Sequence, residues 1–321
     1  MSDSLHFYKG FHAAIQQKEP HKATLVNAIT DMLAIDKDAV YRRLRGEVNF
    51  SFAEMSIIAR NMGISLDVIA GIENMQSKPA KMNFSRQVNP SDVDYEMFEG
   101  HVHLLRSIKH QLSTKLIESG TIFPHYLYND FEHLTRFYMF MWNRFTSSEI
   151  ALPYHEVLIP ERLKTIQSET CVYARHIKST QYVWDHAIFQ RLVTDVKYFA
   201  RIGLIKDEDV NRIKNDLKDF LDYIENMTFK GQQIDTGNEV SIYIFDTNCD
   251  ANYSCLKSNY IEMTLFRTFI LNAIVSMDNK VYEETCNWIR SLQRMSTLIS
   301  VSGEKTRAAF FNTQRKIINA L

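Results

Sequence analysis

A chain of 321 residues, 45% of them hydrophobic and 23% charged, has the length of about two domains and the composition of a soluble globular protein. A formal net charge of −1 excludes polyanion binding by the bulk of the molecule, so any contact with nucleic acid has to be local. Ten glycines and six prolines are few for this length and point to helices joined by short connections.

Met1 to Lys18 is amphipathic and lacks the continuous apolar core of a secretion signal. Phe7, Phe11, Ala14 and Ile15 put apolar groups on one face of a first helix that ends by Pro20. Val26, Ile29 and Leu33 repeat that spacing in a second helix. A short turn follows, Ala34-Ile35-Asp36, in which Asp36 can cap the next helix. That third helix buries Val40 and Leu44 and leaves Lys37, Tyr41, Arg42 and Arg45 projecting, with Gly46 to close it. Ser51 and Glu54 form a capping box ahead of Met55, Ile58 and Ala59, and Gly63 separates this fourth helix from a short one over Leu66 to Ile69. A short helix with an apolar inner face and a basic, hydrogen-bonding outer face fits the major groove of DNA.

Together these residues resemble the DNA-binding domain of phage-repressor-like transcriptional regulators, of the xenobiotic-response-element type, over Leu5 to Ile72. The resemblance implies a five-helix domain that docks helix 37–45 on double-stranded DNA. Lys37, Asp38, Tyr41 and Arg42 are then the expected base-edge readers, and Arg43 and Arg45 the phosphate contacts. The sequence departs from the family in three places: Ala34 replaces the turn glycine, Thr30 is the small residue at the helix crossing, and Arg43 stands where an aliphatic residue is usual. Residues 1–80 hold nine Lys and Arg against nine Asp and Glu, so the module should bind random DNA weakly and depend on a homodimer for affinity. The competing reading is a protein-interaction scaffold with a degenerate helix-turn-helix and no DNA binding.

Residues 74–90 are polar and proline-bearing and read as a linker between a DNA-binding domain over 1–73 and a helical dimerisation or sensor domain over 91–321. In that second domain the periodicity predicts a long helix from Ser91 to Ser119, then an aromatic helix from Asn129 with Phe131, Phe137, Tyr138, Phe140, Trp142 and Phe145. Further helices are predicted over Pro160 to Lys178, Val183 to Ile202 and Glu208 to Met227. Val240 to Phe245 reads as a strand, with Tyr253 to Lys257 as its hairpin partner, and Ile261 to Met277 as a helix. Two helices, Lys280 to Leu298 and Glu304 to Ala320, close the chain. The expected fold class is therefore mainly α, a five-helix module plus a larger helical domain with a small β-hairpin.

Other chemistry finds little support in the residues. Glu99, His103 and His110 share a helix face but have no complementary ligand set, so no metal or other cofactor is expected. No glycine-flanked nucleophile or phosphate-cradling loop appears, and the chain does not read as an enzyme. The aromatic helix reads first as core, with a pocket wall or subunit interface as the alternative. Cys171, Cys249, Cys255 and Cys286 show no metal spacing and read as reduced thiols of a cytoplasmic protein. The most apolar window, Leu265 to Met277, is too short to span a bilayer. The size of the second domain leaves room for a small-molecule or peptide effector.

Overall fold

The computed structural model describes residues 2–70, 81–146, 152–246 and 252–321. The N-terminal part contains α1 (Ser2–Lys18), α2 (Lys22–Leu33), α3 (Lys37–Leu44), α4 (Phe52–Met62) and α5 (Leu66–Ile69). These helices close on an apolar core of their own, with Phe11, Ile15, Val26, Ile29, Val40, Phe50, Ile58 and Met62 buried at its centre.

The rest of the chain is built on a sheet, which overturns the expectation of a mainly α fold with one small hairpin. β1 (Lys81–Asn83), β2 (Lys115–Gly120), β3 (Ser179–Asp185), β4 (Glu239–Phe245), β5 (Tyr253–Lys257), β6 (Glu262–Thr268), β7 (Asn272–Ser276) and β8 (Thr297–Leu298) form one eight-stranded mixed sheet in the order β1-β7-β6-β5-β2-β3-β4-β8. β2, β3 and β4 run parallel at its middle, and the flanking pairs are antiparallel. The molecule is an α/β protein. Its other helices are α6 (Asp92–Ile108), α7 (His125–Tyr128), α8 (Glu132–Thr146), α9 (Glu161–Ala174), α10 (Ile188–Arg201), α11 (Asp207–Lys230), α12 (Asn279–Arg294) and α13 (Glu304–Asn319).

Side-chain alternation sorts the strands between two faces. Tyr182, Trp184, Val240, Ile242 and Ile244 enter the main core with α8, α10, α11 and α13. Ile117, Val183 and Cys255 face the other way and are covered by Tyr282, Cys286, Ile289 and Leu292 of α12. The aromatic helix α8 is internal: Phe137, Tyr138, Phe140 and Trp142 are all buried in the main core, while Phe145 at its end is exposed.

Each strand missed by periodicity has a local cause. The helix expected over Ser91 to Ser119 stops at Ile108, and Leu112, which continues its apolar spacing, is 86% exposed. β2 and β3 are central parallel strands whose buried runs lack the alternation that marks a half-exposed strand. Ile261 to Met277 is not a helix but the β6–β7 hairpin. Its turn residues Phe269 and Ile270 both have positive φ, 48° and 68°, without the Asn or Gly that ordinarily announces such a turn. Tyr253 to Lys257 pairs with β2 and β6 rather than with Val240 to Phe245, because β2 lies between them in the sheet order.

Part of the stretch expected as a linker is built into the sheet. β1 pairs with β7, and the buried Ser85 donates its amide (3.0 Å) and hydroxyl (3.1 Å) to Oδ1 of Asn272. Asp94, in the first turn of α6, accepts from the Arg86 amide at 2.8 Å and from the Ser91 amide at 2.8 Å and hydroxyl at 2.6 Å. Burial pushes its carboxyl up, but these donors and the Arg86 charge outweigh burial and hold it below the ordinary carboxylate value. The stabilisation is thus complete above the unfolded-state value and is lost as pH falls through the lower folded one. Asp94→Ala should lower unfolding free energy by about 2–3 kcal/mol at neutral pH. In denaturant titrations its deficit should shrink as the pH is taken below the carboxylate range.

Candidate nucleic-acid interface

The geometry of α3 is set at both ends by its neighbours in sequence. α2 ends at Leu33, and Ala34 adopts left-handed backbone angles, φ 52° and ψ 41°. The turn is thus made by an alanine in a conformation that favours glycine, at some steric cost. Asp36 then caps α3, its Oδ1 accepting from the Ala39 amide at 2.7 Å. Gly46, with φ 75°, lets the chain leave after the last turn.

Val40 is fully buried and Leu44 packs against the same core, so the inner face of α3 is the one read from the spacing. Lys37, Asp38, Arg42 and Arg45 are exposed. Tyr41 is half-buried: one part of its ring packs on the core, and Lys22 of α2 sits over it with Nζ 5.8 Å from the ring centroid. Lys22 thereby joins this edge of the module, a placement that the separation of the two residues in sequence concealed.

Arg43 is occupied differently from its neighbours. Its Nε and Nη2 donate to Oε2 and Oε1 of Glu54 at 3.2 and 2.8 Å, and its Nη1 donates to the Ala39 carbonyl at 3.2 Å. Both side chains are shielded, 19% and 18% exposed. Glu54 also completes the capping box of α4, accepting from the Ser51 amide at 2.7 Å. Burial pushes the Glu54 carboxyl up, yet the Ser51 amide and the Arg43 guanidinium outweigh it and keep the group below its usual value, so it is ionised at neutral pH. Arg43 therefore ties the outer side of α3 to the start of α4. Arg43 and Glu54 thus form a bidentate ion pair.

Arg42 and Arg45 converge on one carboxylate. Arg45 donates to Glu47 at 2.6 and 3.2 Å, and Arg42 Nε lies 3.7 Å from it. All three are exposed, so water and a competing phosphate reach them freely. Phe52, the first residue of α4, is 74% exposed, an apolar group that periodicity did not single out. Of the residues weighed as metal ligands, Glu99 instead accepts from Arg162 at 2.8 and 3.1 Å. Cys171, Cys255 and Cys286 are buried free thiols, and Cys249 lies outside the described residues. No helix among the described residues is long and apolar enough to cross a membrane.

No family model, curated protein or solved structure matches this chain.

The left-handed alanine gives a direct test of the turn. Ala34 is exposed, so Ala34→Gly removes the steric cost without losing packing. The variant should gain about 0.5–1 kcal/mol in the stability of the N-terminal module, measured by amide exchange in α2 and α3. A loss of stability would mean that the turn does not take this geometry in solution.

Proposed function

We infer that the chain is a sequence-specific DNA-binding transcriptional regulator that lays α3 in the major groove of double-stranded DNA. The observation that carries this reading is the presentation of α3. Its inner face is sealed by Val40 and Leu44, Arg43 is locked to Glu54, and Lys37, Asp38 and Arg42 are left exposed. Lys37, Asp38, Tyr41 and Arg42 are then the base-edge readers, with Arg42 suited to a bidentate contact with guanine. Arg45 holds phosphate, and Arg43 serves by positioning the helix.

One module of this size covers too little DNA for tight specific binding, so a homodimer is part of the proposal, with its contacts in the part of the chain after residue 91. Such a protein acts in the compartment that holds the DNA, the cytoplasm of a cell without a nucleus.

A second reading is favoured by one observation: Arg42 and Arg45 share Glu47, Arg43 is spent on Glu54, and residues 1–80 carry no net charge. These features suit a scaffold whose helix-turn-helix no longer binds DNA. Salt separates the two. A regulator loses affinity for random duplex steeply as salt rises, whereas a scaffold has no affinity to lose.

With a preferred duplex in hand, Arg42→Ala should cost about 1–3 kcal/mol and relax discrimination at one base position. Arg45→Ala should weaken all sequences alike and reduce the salt slope by about one. Fluorescence anisotropy over a panel of single-base variants measures both, and an Arg42→Ala protein with unchanged affinity and preference would remove α3 from the groove.

A further inference from the structure

Between the sheet and helices α6, α7, α8 and α9 lies a partly open cavity in two compartments, of about 160 and about 90 Å3. His101, His125, Tyr128, Leu265, Leu271 and Asn272 line both, so the compartments adjoin. The larger matches the space that holds one benzene ring, and the smaller adds room for a short substituent.

The polar groups of the lining define what fits. Glu118 and Arg267, a charged pair of the smaller compartment, satisfy one another. Glu118 also accepts from the Tyr126 hydroxyl and, at 2.9 Å, from Ser254. Burial lowers both imidazoles, and for His125, with His101 as the lesser cause, to about 3, so both rings are neutral at pH 7. The cavity thus offers no uncompensated charge to an ion. It does offer a donor. Asn272 is 3% exposed, and its oxygen is identified by the Ser85 amide, which can only donate to it. Its Nδ2 has no partner among the described residues. A buried amide donor without an acceptor is costly, and a ligand that supplies one recovers that cost.

The same lining reaches the N-terminal module. Leu256, Met263, Leu265 and Arg267, from strands β5 and β6, face the cavity. At the tip of that hairpin Tyr260 packs against the core of the helix-turn-helix. Gly63, which closes α4, approaches so tightly that a Cβ there would lie 3.3 Å from the Tyr260 carbonyl oxygen.

We propose that this cavity binds a small, uncharged, mainly apolar molecule carrying a hydrogen-bond acceptor, and that the β5–β6 hairpin transmits its occupancy to α4. An aromatic ketone has this chemistry, an alkylbenzene lacks the acceptor, and an aromatic carboxylate brings a charge with no counterpart.

Isothermal titration of the full-length protein with acetophenone, ethylbenzene and benzoate tests the site. Acetophenone should bind at one site per chain, ethylbenzene about tenfold more weakly, and benzoate more weakly than either. Asn272→Leu should erase the preference for acetophenone over ethylbenzene. Because that change also strips Ser85 of its partner, Leu265→Phe serves beside it: Leu265 is half-buried and lines both compartments, so the added ring takes up the ligand's space and should abolish binding. Absence of saturable acetophenone binding to the unaltered protein, tighter binding of benzoate, or binding indifferent to Leu265→Phe would each overturn the site. For the link, acetophenone should slow amide exchange in α4, and Tyr260→Ala should remove that effect while leaving binding intact. Exchange unchanged in α4 at saturation would overturn the transmission. Neither measurement involves DNA, so their failure and that of the DNA-binding reading are independent.

Discussion

Glu54 holds two partners at once, the Ser51 amide at the start of α4 and the Arg43 guanidinium on α3. Through that one carboxylate the capping of one helix and the aim of another become a single constraint. An ion pair this shielded is weak support for stability in itself, since desolvation offsets much of its attraction. Its consequence is directional. A planar guanidinium bound through two nitrogens to a carboxylate that is itself fixed by a backbone amide leaves α3 little freedom to roll. Val40 and Leu44 set the depth of α3 on the core, the Ala34 turn sets its angle to α2, and Arg43 sets its rotation. What the helix shows to the outside follows from those three contacts.

The sheet plays the corresponding part in the rest of the chain. Its parallel centre, β2-β3-β4, is covered on one face by the aromatic core and on the other by α12. Away from that centre the antiparallel strands β5, β6 and β7 rise beside α6 and α9, and their side chains leave the cavity rather than fill it. The strain at Phe269 and Ile270 falls in the turn between two of these strands, and Ile270 itself lines the smaller compartment. A β-branched residue at positive φ persists only where its surroundings over-determine it, and such residues gather near functional sites.

The N-terminal helices were legible because their signals are local. Asp36, the Ser51–Glu54 box and Gly63 each mark an end by a group that the residue itself supplies, and each is found doing so. The lock on Arg43 was not legible, since an arginine among exposed basic residues reads as one more phosphate contact until Glu54 is seen beside it. The sheet failed to declare itself for a different reason. Its strands β2 and β3 are buried over most of their length and give no sustained alternation, Leu112 continues a helical rhythm by accident, and the β6–β7 turn lacks its usual residues. The cavity depends on pairings such as Ser85 with Asn272, which join residues far apart in sequence and leave no mark in either segment.

Selection of bound duplexes from a random DNA pool by the full-length protein tests the central claim most directly. The account predicts enrichment of a short motif, repeated as a palindrome with half-sites about one helical turn, ~34 Å, apart. Recovery of a pool indistinguishable from the input at low salt would contradict it, and would leave α3 as a surface for some partner other than DNA.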